Sequence, residues 1–430
     1  MSQAADDPQP TEEQGEAQAT EDIAAVPAPT ETEEASAADE IAPEPLTEAP
    51  TTTEAPEASE TPPAEATQSS SPEAAVVDVE DLDWEAVRGA VAEPIAGGRA
   101  QGIIQRMEER LARGPSLGLA FDDFRAGPAD RVIHVNGDYE LGPVWFVGDV
   151  HGDLLALEAA LQRIARSADP ADIRIVFLGD LFDDGAHGAE VVLRVFELVL
   201  DGPMQVTILA GNHDEALSYN GDAFQSSVLP SDFTDWLNAN REDEWTVRLG
   251  KLIVEFFQRA PRAIFFPDGL LATHGGIPHT DLHSELEETG NWNDPRNLQD
   301  FVWTRAHPRA RKRIPNRTSR GCEYGYQDFE AFCELATRLG RPVERMIRGH
   351  DHIEERFAVP PAYAKNPVLT INTLSHRLPR EIFGEYERVP VIARHLSGEL
   401  PEVYRLHVPP ELINQLYPEQ AEASAGGEQG

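Results

Sequence analysis

Five short apolar runs in this 430-residue chain each break off at an Asp, Asn or His with a glycine beside it. Three are PVWFVGD (143–149), IRIVFLGD (173–180) and MQVTILAGN (204–212); the others end at His274 and His350. A short run of Val, Ile, Leu and Phe closed by a polar turn reads as a buried strand. Between the first three, Asp153–Arg166 and Gly188–Leu200 carry apolar residues at helical spacing. The resulting βαβαβ pattern predicts an α/β fold with an at least partly parallel sheet. Further candidate strands lie at 262–274, 345–350, 367–372 and 390–396, and their Val, Ile and Phe content fits a second sheet packed on the first. The polar residues therefore fall at strand ends, where α/β sheets gather their ligands.

Composition sets the limits of the folded region. Residues 1–80 contain 21 of the 76 acidic side chains, none of the 35 Lys and Arg, and no aromatic residue. Ordering a residue costs roughly 1–2 kcal/mol, which Ala, Glu, Pro, Thr and Ser cannot recover by burial. We expect 1–80 to be a disordered acidic arm, and 81–140 a helical cap and lead-in with two short helices interrupted at Pro94 and Gly97-Gly98. A catalytic domain is expected over 141–410, followed by a flexible tail over 411–430. The remaining chain is still acidic, which argues against nucleic-acid or anionic-membrane partners. No signal-peptide pattern and no run of about 18 apolar residues is present, so a cytoplasmic location is expected. Cys322 and Cys333 offer neither a disulfide framework nor zinc-finger spacing.

The strand ends carry Gly148-Asp149-Val150-His151-Gly152-Asp153, then Gly179-Asp180-Leu181-Phe182-Asp183-Asp184-Gly185, then Gly211-Asn212-His213-Asp214. His274-Gly275-Gly276 and Gly349-His350-Asp351-His352 complete the series. Each alone reads equally well as a turn. Together they bring Asp149, Asp180, Asp183 and several His to one place, which is costly unless cations neutralise the acids.

This ordered set, GDxHG, GDxxD, GNHD, HGG and GHxH, resembles the calcineurin-like metallophosphoesterases, and most of all the PPP-type serine/threonine protein phosphatases in a bacterial-type variant. The resemblance implies a four-layer α/β sandwich with two central mixed β-sheets flanked by helices. It implies two divalent or trivalent metal ions per chain, and manganese, iron, zinc and cobalt all suit such ligands. Asp149 and His151 match ligands of the first metal and Asp180 the bridging carboxylate. Asn212, His274 and His350 match ligands of the second metal, with Asn212 also facing substrate phosphate. His352 matches an extra ligand of the wider superfamily. His213 matches the general acid, and Asp183 the carboxylate that orients it. Ser319-Arg320-Gly321 and the amphipathic stretch 328–339 resemble a segment in which Arg320 grips phosphate through its planar fork.

The implied reaction is hydrolysis of phosphomonoesters, above all phosphoserine and phosphothreonine in proteins, by in-line attack of a metal-bridging hydroxide. Three features depart from the pattern, one being the stretches 220–255 and 278–315, which do not follow the family closely. Asp183-Asp184-Gly185 stands where the family has Asp-Arg-Gly, and Ile371-Asn372-Thr373-Leu374-Ser375 where eukaryotic enzymes have Ser-Ala-Pro-Asn-Tyr. Two other readings remain open: a small-molecule phosphoesterase such as a dinucleoside-tetraphosphate hydrolase, and a non-catalytic phosphoprotein-binding relative.

Overall fold

The computed structural model of the chain describes residues 73–137, 142–311, 321–378, 381 and 388–417. The expected acidic arm up to residue 72, Arg320 and the end of the C-terminal tail lie outside the described residues.

Strand alternation builds the interior. In Val144–Val147, Val144 and Phe146 join one apolar cluster while Trp145 and Val147 join another. Successive side chains of a strand point to opposite faces, so this strand is buried on both sides. Val176 divides in the same way from Ile175 and Phe177, as do Leu270 and Ala272 from Leu271.

The first sheet runs Val76–Val79, Glu402–Leu406, Val391–His395, Val144–Val147, Arg174–Phe177, Gln205–Ile208. The second runs Phe357–Ala358, Val368–Ile371, Arg345–Arg348, Leu270–Thr273, Ala263–Phe265, Val132–His134. Both are mixed, and their facing sides share the cluster of Phe146, Val176, Ile264, Ala272, Ile347 and Leu369. Helices Leu154–Ala165, Gly188–Asp201 and Glu244–Arg259 cover the outer face of the first sheet, and Pro295–Trp303 and Tyr326–Arg338 that of the second. This is the four-layer sandwich with two central mixed sheets that the sequence implied. No helix among the described residues is long and apolar enough to cross a membrane.

Three expectations need correction. Val391–His395 belongs to the first sheet, antiparallel to Val144–Val147, with Ala393 opposite Phe146. Its apolar content marked it as buried but could not name its partner. Val76–Val79, placed in the disordered arm, pairs in parallel with Glu402–Leu406 and buries Val79. The flexible tail was drawn from 411, yet Pro410–Leu416 is a helix whose Leu412 enters the main core. The lead-in also supplies the Val132–His134 strand, beside the expected pair of helices at Trp84–Ala92 and Gly97–Arg113.

Burying one Val side chain is worth roughly 1.5–3 kcal/mol. Deleting residues 1–82 should therefore lower the urea midpoint measurably, because it removes Val79 and uncovers the Glu402–Leu406 edge. Deleting only residues 1–72 should leave the midpoint unchanged, and equal midpoints for the two truncations would show that the Val76–Val79 strand adds nothing.

Candidate metal centre

The strands that run parallel within each sheet bring their C-terminal ends together. From the first sheet, Val144–Val147 leads to Asp149 and His151, Arg174–Phe177 to Asp180, and Gln205–Ile208 to Asn212 and His213. From the second, Leu270–Thr273 leads to His274 and Arg345–Arg348 to His350. An isolated parallel bridge between Asp149 and Asn372 joins the two sets of strand ends.

Two groups of donor atoms result, each lying within 4.8 Å: Asp149, His151 and His352, and Asp180, His274 and His350. Asn212 Oδ1 sits 3.0 Å from His274 Nε2 and 2.6 Å from His350 Nδ1, and so belongs with the second group. His151 Nε2 lies 3.6 Å from Asp180 Oδ2, and His274 Nε2 lies 3.4 Å from the same oxygen. Asp180 thus stands between the groups.

The tautomers follow from the hydrogen bonds. His151 Nδ1 faces the Phe182 carbonyl at 3.2 Å and His274 Nδ1 the Leu178 carbonyl at 3.0 Å. A carbonyl only accepts, so both Nδ1 atoms donate, and in the neutral ring each Nε2 points a lone pair inward. There they meet other ring nitrogens: His151 Nε2 lies 3.2 Å from His352 Nε2, and His274 Nε2 lies 3.2 Å from His350 Nδ1. Burial holds His151 and His350 well below the usual histidine pKa, which keeps their rings neutral, whereas at His274 burial is outweighed by the Asp180 charge, which raises it. Neutral imidazoles with converging lone pairs are what a divalent cation binds.

The carboxylates carry the complementary charge. Asp149, Asp180 and Asp214 are all buried. Burial, reinforced by Asp180, pushes Asp149 up to about 7 and Asp214 up to about 7. Burial also opposes ionisation of Asp180, yet the His274 and His213 rings hold it well below the usual carboxylate range. The donor set of carboxylates, an amide oxygen and neutral imidazoles fits a pair of hard or borderline cations.

The backbone is bent to suit this arrangement. Six described non-glycine residues have left-handed φ, and five are His151, Asp180, Asp183, Asp184 and His350. Such conformations persist only where their surroundings hold them. Close approach excludes a side chain at Gly211 and Gly349, among others: a Cβ at Gly211 would overlap the Asp180 carboxylate, and one at Gly349 the Asp149 carboxylate.

Beside the centre, His213 Nδ1 lies 2.9 Å from Asp183 Oδ2. Burial opposes the charged ring, but Asp180 and the bond to Asp183 push its pKa up to about 9. Asp183 is fixed on its other oxygen by the Phe233 N–H at 3.0 Å. The Asp184 carboxylate groups with His151 and His213, and its Oδ1 is buried with no hydrogen-bond partner in the described structure. Burial pushes it up to about 6.

The sequence reading gave no role to Asp214 or to the Asn372 side chain, both of which the structure places here. Asp214 accepts from Asp180 N (2.7 Å), Gly211 N (2.8 Å) and Leu181 N (3.3 Å), tying two of the loops together. It stood inside the Gly211–Asp214 motif, so the motif itself was the available signal. Asn372 Nδ2 donates to Asp149 Oδ2 at 3.2 Å. Arg305 Nη1 donates to the His350 carbonyl at 2.9 Å and to Asp351 Oδ1 at 2.6 Å, which puts a guanidinium at the rim.

Residues 142–354 match the calcineurin-like phosphoesterase family model. The chain is 24% identical over 239 residues to serine/threonine-protein phosphatase PP1-delta of Caenorhabditis elegans, covering 54% of this chain and 70% of that protein. It is 23% identical over 219 residues to the serine/threonine-protein phosphatase 6 catalytic subunit of the same organism, covering 50% of this chain and 60% of that one. Among solved structures it is similar to a protein serine/threonine phosphatase from Saccharomyces cerevisiae with similarity to human phosphatase PP5. That match has 13% identity, a TM-score of 0.48, and coverage of 72% of this chain and 89% of that chain.

Asp214→Asn removes one acceptor oxygen from three buried N–H groups and should displace the Asp180 and Asn212 loops slightly. Supporting residues of this kind typically change metal affinity 10–100-fold. Titration calorimetry with manganese should show a loss of that size in a chain whose circular dichroism is unaltered; an unchanged affinity would make Asp214 a purely structural residue.

Proposed function

We propose, from the premise that residues 142–354 are a calcineurin-like phosphoesterase domain with serine/threonine phosphatase homologues, that this chain is a metal-dependent phosphatase acting on phosphomonoesters, in particular phosphoserine and phosphothreonine in proteins. The observation that carries the reading is the pair of inward-facing Nε2 atoms, from His151 and His274, on either side of the buried Asp180.

Asp149, His151 and His352 would hold one cation, Asn212, His274 and His350 a second, and Asp180 would serve both. Two such cations supply positive charge for the nonbridging phosphate oxygens and a nucleophile at neutral pH. His213, oriented by Asp183, donates its Nε2 proton to the leaving oxygen. Arg320 is the phosphate clamp implied by the family segment. Arg305, held by Asp351 beside His350, is a second guanidinium suited to that role.

The test is direct. Chelated protein should not release phosphate from a phosphoserine peptide, and manganese should restore the activity. A dinucleoside tetraphosphate assayed in parallel should be the poorer substrate. Turnover that survives exhaustive chelation, or occurs only on the dinucleotide, would overturn the reading.

Asp184 gives a second test. Its carboxylate, with Oδ1 unpartnered, lies beside His213, on the side from which an anionic substrate would approach. Asp184→Arg would replace a repulsion with a charge-assisted hydrogen bond worth roughly 1.5–3 kcal/mol. At about 1.4 kcal/mol per tenfold, kcat/KM for a phosphomonoester should rise about tenfold, and less for a phosphodiester. A variant that binds metal normally but loses activity on both substrates would give Asp184 a positive role.

A further inference from the structure

The turn that carries Asp183 is held from two sides, both distant from it in sequence. Asp183 and Asp184 have φ of 65° and 60°, so neither would keep this conformation unaided. On one side, Phe233 N donates to Asp183 Oδ1 and Asp184 N donates to Asp232 Oδ1 at 2.8 Å. On the other, His376 Nε2 lies 3.2 Å from the Asp184 carbonyl oxygen, across 192 residues of chain.

His376 is buried, and both of its ring nitrogens face acceptors, so the two bonds together require both ring N–H groups. Its Nδ1 lies 2.9 Å from Asp153 Oδ2, and its own carbonyl accepts from Arg356 Nη2 at 2.6 Å. Asp153 is saturated: Oδ2 also accepts from the Ser375 N–H and hydroxyl, while Oδ1 accepts from Ala156 N and from the Tyr417 hydroxyl at 2.9 Å. The Tyr417 ring lies against the imidazole at 4.8 Å. A continuous hydrogen-bonded path thus runs from Tyr417 through Asp153 and His376 to the backbone of the turn in which Asp183 meets His213.

We propose that His376 is a positioning residue for leaving-group protonation: tethered by Asp153, it holds the Asp184 carbonyl and so keeps Asp183 in register with His213 Nδ1. It takes no part in binding cations or substrate. The inference rests on the reading of His213 as the general acid, and the experiment separates the two.

A positioning role has a kinetic signature that a structural role lacks. The alkoxide of phosphoserine needs a proton as it leaves, whereas p-nitrophenolate does not, so a defect confined to the acid slows only the first substrate. In the full-length, manganese-loaded protein, His213→Asn should lower kcat on a phosphoserine peptide far more than on p-nitrophenyl phosphate. His376→Phe, which keeps a ring against Tyr417, should repeat that selectivity at smaller size. We expect about a tenfold loss of kcat on the peptide, under about twofold on the nitrophenyl ester, and unchanged bound metal and KM. His376→Gln, which retains a donor, should recover part of the loss, and Tyr417→Phe should show a weaker form of it.

Equal losses on both substrates, or loss of metal, would overturn the proposal in favour of a structural role, as would no loss on either. If His213→Asn fails to discriminate between the substrates, the acid assignment is what has failed. The tether is then judged by the His213 Nδ1 proton resonance in the zinc-loaded protein. A shift or broadening of that resonance on His376→Phe supports the tether, and an unchanged resonance overturns it.

Discussion

Three carboxylates, those of Asp149, Asp180 and Asp214, are buried together at the edge of two apolar sheets, and the rest of the site answers to that fact. Removing even one ionised carboxylate from water costs several kcal/mol unless something of opposite charge meets it. Asp214 is met by three backbone N–H groups and Asp149 by the His350 N–H and the Asn372 amide. Asp180 receives the His213 N–H on one oxygen, and its other oxygen faces the Nε2 atoms of His151 and His274. With Nδ1 of both rings committed to carbonyls, the Nε2 atoms are the ring positions left to face Asp180, and in the neutral rings they offer lone pairs to a cation.

The two-sheet architecture makes this possible without a long excursion of the chain. A single sheet delivers its strand ends along a line, but packing two sheets face to face sets a second line opposite the first. Asp149, His151, Asp180 and Asn212 come from one line, and His274 and His350 from the other. The Asp149–Asn372 bridge fixes their separation. The inter-sheet core of Phe146, Val176, Ile347 and Leu369 therefore bears on chemistry as well as stability, because interior packing is too dense for either sheet to slide freely.

Much of this was legible in the sequence because the strand ends signal twice. The apolar run announces burial, and the abrupt Asp, Asn or His with a glycine beside it announces a polar group that must be neutralised. That combination located Asp149, Asp180, Asn212, His274 and His350 before any geometry was known. His151, His213 and Asp183 lay within a few residues of those points, and the structure brings all of them, with His352, to one centre. Partners were harder to read. Val391–His395 was visibly a strand, but periodicity does not name the neighbours, and one of its two lies about 250 residues earlier in the chain. Val76–Val79 is four residues long with only Val79 fully buried, and it follows a segment whose composition argues for disorder. Pro410–Leu416 is too short for helical periodicity to stand out.

The residues that escaped notice share one property: they act on other residues' geometry, so their chemistry does not advertise the site. Asn372 holds a carboxylate, Asp214 holds two loops, and His376 contacts a carbonyl. An Asn, an Asp or a His at such a position looks the same in sequence as one in a surface turn. What sets them apart is the strain they offset. Left-handed φ at His151, Asp180, Asp183, Asp184 and His350 is disfavoured for each residue separately, and the site keeps all five together. A centre that needs five strained residues in register also needs a supporting layer whose hydrogen bonds reach far along the chain. The Asp153–Tyr417 contact, spanning 264 residues, is where that layer anchors the first strand end to the C-terminal helix.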